Sequence, residues 1–271
     1  MNEVINNHHV ITEADDARIE FYHAYTDHNL RTLHQRFICQ GLQLVERLQE
    51  SQFQMESILC REDKLKKFTA SFPSPTVPVY IVSTELFQKI FGYGYKSGIY
   101  ACALRQPLKS VEQVAYRENS LIMILPDLNS TRNVGAIIRS CSGLGATALI
   151  IGPKCTDPFY KVAVRASMGA VFDLPILKST ALEDDLMWLK KRHDFKLIAA
   201  NLSAQANSLF DVSSNNKPQR TAIIMGNEFH GVADDILQYC DEEVMIPMHN
   251  STDSLNVGMA ATLFLYEFIK R

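Results

Sequence analysis

The sequence predicts two α/β modules in tandem, the second built on a parallel sheet with helices on both faces. Three observations lead there. Short β-rich runs alternate with amphipathic stretches along most of the chain. In the second half those runs are apolar without interruption, as strands buried on both faces must be. A polar, charged stretch, RQPLKSVEQVAYRENS (105–120), separates two halves of different texture.

Taken in order, residues 1–28 carry no clear period and read as an N-terminal extension, either a helical segment or an arm. Residues 29–106 read as a small α/β module. Its strand candidates RFICQ, ESILC, PVYIVS and GIYACALR are divided by the helical patterns GLQLVERLQE, REDKLKKF and ELFQKIF. Residues 107–118 read as a linker. From 119 to 271 the runs LIMIL (121–125), TALII (147–151), KLIAA (196–200), TAIIM (221–225) and EVMIP (243–247) are the strands. Between them VGAIIRSCSGLG, ALEDDLMWLKKRHD and ADDILQYC carry helical spacing. The apolar spacing of SLNVGMAATLFLYEFIK predicts a C-terminal helix with Ser254 as its N-cap.

The bulk numbers narrow the function classes. With 271 residues and 46% apolar content the chain has material for real cores. A net charge of −3 argues against a protein that coats nucleic acid by bulk electrostatics, and leaves room for a local basic patch. Six scattered cysteines form no C-x-x-C pair, which suits a reducing compartment. The first residues lack the pattern of a secretory or organelle signal, and no apolar run reaches membrane-spanning length, so a cytoplasmic protein without a membrane anchor is expected. The eight histidines show no metal-ligand spacing, so no metal is expected. G-x-S-x-G and Walker loops are absent. GYGYKSG (92–98) begins G-x-G but follows a helical pattern, which makes it a surface loop, and the basic run LKKRHDFK (189–196) reads as a solvated helix end.

Chemistry concentrates in three loops that follow predicted strands: PDLNSTRNVGAIIRS, GNEFHGV (226–232) and PMHNSTDSLNVGMAA (247–261). Ligands of parallel sheets bind beyond the strands' carboxyl ends, where these loops lie. Gly226 and Gly231 permit a sharp reversal and close approach of a planar ligand to main-chain amides. Asn256, in the first turn of the last helix, could hold a neighbouring loop through its amide. Arg139 stands six residues beyond Asn133, and its neighbours Ile137, Ile138 and Cys141 suggest partial burial beside a site.

Together these loops resemble the three motifs of the SpoU (TrmH-like) family of RNA ribose 2'-O-methyltransferases, in the SPOUT class. The first is NVGAIIR, Asn133 to Arg139, the second MGNEFHGV, and the third IPM (246–248) followed by SLNVGMAA. DPFYKVAVRASMGAVFDLPI (157–176) resembles a further family segment, and RFICQGLQLVE with YKSGIYACALRQP resembles the small α/β substrate-binding domain that often precedes the catalytic one. Gln40, Phe229 and Gly258 depart from the residues usual there.

The resemblance implies a SPOUT-type parallel sheet with a C-terminal trefoil knot, preceded by an RNA-binding α/β domain. It implies S-adenosylmethionine as cofactor, held by backbone around Gly226, Ile246 and Leu255, with Asn201, Gly231 and Met248 in the same pocket. It assigns catalysis to Arg139, supported by Asn133, Glu228, Ser254 and Asn256. The implied partners are RNA, ribosomal before transfer RNA, and a second copy of the chain. Two rivals stand beside it: an α/β dehydrogenase, which the missing G-x-G-x-x-G disfavours, and an RNA-binding or ribosome-assembly protein without catalysis.

Overall fold

The computed structural model describes residues 7–93, 97–114, 116–211, 219–227, 230–250 and 254–269. The chain divides into two units, Met1–Pro107 with Phe159–Phe172, and Leu108–Pro158 with Asp173–Arg271.

The first unit runs β1 (His8–Ile11), α1 (Glu20–His23), α2 (Asp27–Thr32), β2 (Arg36–Gln40), α3 (Leu42–Glu50), β3 (Met55–Arg61), α4 (Leu65–Ser71), β4 (Val79–Val82), α5 (Thr84–Phe91) and β5 (Ile99–Leu104). The strands form a sheet in the order β1-β4-β3-β5-β2, in which β5 runs antiparallel to both β3 and β2. Ile38, Leu59, Val82 and Tyr100 from the sheet share one core with Ile19, Tyr22, Leu30 and Leu86. Of the N-terminal extension expected as a helical segment or an arm, Glu20–His23 is helical, but β1 joins the sheet: His8 to Ile11 pair in parallel with Val79 to Val82 at its edge. An edge strand of four residues with only Ile11 buried leaves no period to read.

The segment Phe159–Phe172, which carries α7 (Lys161–Ala166), belongs to this unit and not to the continuous second domain expected from the sequence. The Phe159 ring lies 5.1 Å from that of Phe37 and 5.3 Å from that of Phe53. The Arg105 guanidinium stands 4.9 Å over Phe159, and the Asp27 carboxylate accepts from the Lys161 amide at 3.0 Å. Contacts so distant along the chain have no local signature.

The second unit holds β6 (Ser120–Leu125), α6 (Thr131–Leu144), β7 (Ala148–Ile151), β8 (Ile176–Lys178), α8 (Leu182–His193), β9 (Lys196–Ala200), β10 (Asn207–Ser208), β11 (Arg220–Met225), α9 (Asp234–Leu237), β12 (Glu242–Met245) and α10 (Val257–Ile269). Its sheet is ordered β10-β12-β9-β11-β6-β7-β8, with every pair parallel. β6 and β7 are buried at every position, as their unbroken apolar sequence requires. One core joins Ile122, Ile124, Ile150, Leu197, Ala222 and Ile224 of the strands to Leu182, Leu186 and Leu189 of α8. α6 starts at Ser130, whose side chain accepts from the Asn133 amide, and stops at Gly145 in the left-handed region (φ 80°). The helical pattern of 233–240 yields only the single turn α9.

Candidate functional site

Strands β9, β11 and β12 stand side by side and end at one level, so the loops leaving them meet. There the second unit has a cavity of about 570 Å³, walled by Asn201 after β9, Gly226, Asn227 and Gly231 after β11, and Ile246 and Met248 after β12, and closed by Ser254 to Asn256 ahead of α10 and by Val257 at its start. That volume lies within the range of small-molecule pockets, and its position beyond the carboxyl ends is where parallel sheets bind ligands. Met225, Ile246, Leu255, Val257 and Phe264 give it apolar walls, while Asn201, Asn227, His230, Ser254 and Asn256 bring polar side chains to it.

Two side-chain amides tie the three loops together. The Asn227 amide nitrogen donates to the Asp127 carbonyl at 3.0 Å, joining the loop after β11 to the loop after β6. The Asn256 amide nitrogen donates to the Asn133 side-chain oxygen at 3.1 Å, joining the approach to α10 to the first turn of α6. The Asn256 oxygen meanwhile accepts from the Gly258 amide at 2.9 Å. Asn256 therefore caps α10, in place of Ser254, which was expected to do so: the helix begins at Val257, and Ser254 lines the cavity.

Backbone meets backbone in the loop after β11. Asn227 and Gly231 exchange both main-chain hydrogen bonds, at 2.8 and 3.1 Å. A Cβ at Gly226 would stand 2.3 Å from the Gly231 carbonyl carbon, and Gly231 itself has φ 67°. The glycine at 226 is thus demanded by the loop's own closure as well as by any ligand.

Asn201 is held from behind. Its amide nitrogen donates to Glu243 at 2.8 Å, which leaves its oxygen as the acceptor available to a ligand. The same bond keeps the Glu243 carboxyl below its ordinary pKa, so it remains ionised as the acceptor.

Of the residues singled out from sequence, Asn201, Gly226, Gly231, Ile246, Met248, Leu255, Ser254 and Asn256 all line the one cavity, and Asn133 is bonded to it through Asn256. Glu228 lies outside the described residues. Arg139 does not line the cavity, and its expected partial burial is overturned: it is exposed on α6, without an ion pair among the described residues. Sequence reasoning missed Asn227 and Glu243. The only signal for Asn227 was its place between Gly226 and Glu228, and a carboxylate at the polar start of a strand gave none for Glu243.

Asn256 allows its two bonds to be separated. Asn256→Ala removes cap and tie together and should cost about 1 kcal/mol of stability, the usual worth of an N-cap. Asn256→Asp keeps the capping oxygen and loses the donor. Chemical denaturation should find it near wild type, while calorimetry finds weakened binding of S-adenosylhomocysteine. Equal stability loss in both variants would deny the separation.

A parallel α/β sheet with its cavity at three motif-bearing loops defines a class, and comparison with known proteins identifies it. The model of the SpoU rRNA Methylase family matches residues 120–266. An uncharacterised tRNA/rRNA methyltransferase from Mycobacterium bovis is 31% identical over 230 residues, covering 85% of this chain and 79% of that protein. A 23S rRNA uridine 2'-O-methyltransferase from Streptomyces viridochromogenes is 30% identical over 62% of this chain and 58% of its own. Among solved structures, the SpoU methyltransferase AviRb from the same organism, in complex with the cofactor AdoMet, superposes with a TM-score of 0.81 at 25% identity, covering 94% of this chain and 98% of that one. An RNA 2'-O ribose methyltransferase gives 0.81 at 27% identity over 97% and 98%. The chain belongs to the SpoU rRNA methylase family.

Proposed function

We propose that the protein transfers a methyl group from S-adenosylmethionine to a ribose 2'-hydroxyl of ribosomal RNA. The observation that carries this reading is the cavity beyond β9, β11 and β12, whose walls contain all six residues assigned to the cofactor from sequence. Gly226, Ile246 and Leu255 would hold the adenosine end through main chain, and the Asn201 oxygen would accept from a donor of the nucleoside. The likeness to AviRb solved with AdoMet supports the cofactor, and the names of the curated relatives support ribosomal RNA before transfer RNA. The resemblance of the three motif loops implies a C-terminal trefoil knot in this chain.

The bound cofactor supplies an activated sulfonium methyl, so the protein has little covalent chemistry to do. Its residues have to align the ribose oxygen with the methyl and stabilise charge as the O–C bond forms, the C–S bond breaks and the hydroxyl proton leaves to solvent. A guanidinium stays protonated and cannot serve as the base. Arg139 therefore binds an RNA phosphate and stabilises the developing alkoxide, and its exposure suits a group that meets a large substrate. Asn133, Ser254 and Asn256 hold the loops in place, and Glu228 acts with them.

A second copy completes the assembly. α10 leaves Met259, Leu263 and Tyr266 exposed at 64, 42 and 51%, one stripe at helical spacing on the helix that caps the cavity. The protein works as a homodimer through this stripe, in the cytoplasm, where its six free cysteines stay reduced. Among the described residues no helix is long and apolar enough to cross a membrane. Leu263→Glu should give a monomer by sedimentation at micromolar concentration, and a dimer persisting unchanged would refute the interface.

Calorimetry with S-adenosylhomocysteine tests the function directly. Well-folded protein should bind it at one site per chain, and absence of heat would refute the reading.

A further inference from the structure

The first unit has a cleft of about 1010 Å³ that the methyl-transfer site does not use. Its floor is apolar, from Leu42, Leu44 and Ile99, and its polar edge carries the side-chain amides of Gln40 and Gln43. Among the described residues three cations, Lys64, Lys67 and Arg165, line it, and no carboxylate does. Lys64 is paired with Asp63 at 2.9 Å, whereas Lys67 and Arg165 are exposed and without an ion pair among the described residues. On the rim Tyr93 is 88% exposed, an aromatic ring spent on no core.

The wall formed by Arg165 and Met168 is held in a set geometry. Met168 lies in the left-handed region (φ 52°), which side chains rarely adopt, and its carbonyl accepts from the Arg47 guanidinium at 2.6 Å. This is the VRASMGA segment, conspicuous in the sequence and idle in the methyl-transfer reading.

We infer that this cleft receives an unpaired nucleotide of the RNA substrate, with the base against its apolar floor, Tyr93 stacking on the base, and the flanking phosphates on Lys67 and Arg165. The inference rests on the methyltransferase reading for its substrate and adds the site that reads it. Paired RNA presents phosphates and shallow edges to a protein, whereas an unstacked base offers a flat apolar face, polar edges and phosphates on either side. An apolar floor with amides and cations at its margin matches the second. α3 opens at Gly41 without a side-chain cap, and Gly41 to Leu44 line the cleft; the Gly41 and Leu44 amides donate to the Ile99 and Gly41 carbonyls, so the first turn offers the Leu42 and Gln43 amides to the phosphate side.

The test uses full-length protein and deproteinised rRNA from cells lacking this gene. Lys67→Glu and Arg165→Glu should each weaken rRNA binding at least about tenfold and flatten its salt dependence, by about 0.7 in log–log slope for each phosphate no longer neutralised. Tyr93→Ala should weaken it about tenfold with the slope unchanged. Lys191→Glu, on α8 of the second unit, should bind as wild type. A photo-crosslinking amino acid at position 93 should map to an unpaired nucleotide. Wild-type affinity in all three cleft variants, equal loss in Lys191→Glu, absence of rRNA binding by the wild type, or a crosslink within a paired stem would overturn the inference. S-adenosylhomocysteine calorimetry on the same proteins separates the two readings: cleft variants should keep wild-type heat, and a wild type without heat would refute the methyltransferase reading while the RNA assays judge the cleft.

Discussion

Arg139→Ala is expected to lower kcat for methyl transfer by about 10²–10³-fold, the usual cost of removing a group that stabilises developing charge. Binding of S-adenosylhomocysteine should stay near wild type, because Arg139 is not a wall of the cavity. Stability should also hold, since Arg139 is exposed and makes no ion pair among the described residues. Single-turnover transfer to rRNA from cells lacking the gene measures the effect. Arg139→Lys divides the two roles: a lysine keeps the charge but not the planar fork, so recovery of kcat with a raised KM would mean that the fork serves mainly the phosphate. Near-normal turnover by the alanine variant would remove Arg139 from the mechanism.

Gly226→Ala is expected to abolish detectable cofactor binding. The new methyl would fall 2.3 Å from the Gly231 carbonyl carbon and 2.6 Å from the Val232 nitrogen, both main chain, so the loop must open. Overpacking of this kind costs about 1–3 kcal/mol. In a chain of this size that lowers Tm by several degrees, at roughly 2–4 °C per kcal/mol. The Asn227 to Gly231 closure and the Asn227 link to Asp127 would loosen together, because both depend on that loop's course. Differential scanning calorimetry and ligand titration check the pair of effects. Wild-type affinity in a variant of lowered Tm would show that the closure serves stability alone.

The central strands were legible because burial on both faces writes itself as uninterrupted apolar sequence. RFICQ and KLIAA match β2 and β9 residue for residue. The edge strands β1, β8 and β10 were not, being two to four residues long. Arg139 was misread for a geometric reason. Ile137, Ile138 and Cys141 lie one or two residues away, which at about 100° per residue turns them to other sides of α6. Their burial therefore says nothing about the arginine. The candidate site was legible as motif residues in three loops, whereas what binds the loops to one another, the partners of Asn227, Asn256 and Glu243, depends on residues 42 to 123 positions away.

The passage of Phe159–Phe172 into the first unit makes that unit discontinuous in the gene. A fragment cut at Pro107 would lack the rings of Phe159 and Phe172, leaving Phe37 and Phe53 as a sticky aromatic scar. Neither half can then be excised or recombined as a cassette without wounding the other, so any lineage that exchanges its front module has to carry this fourteen-residue splint along with it.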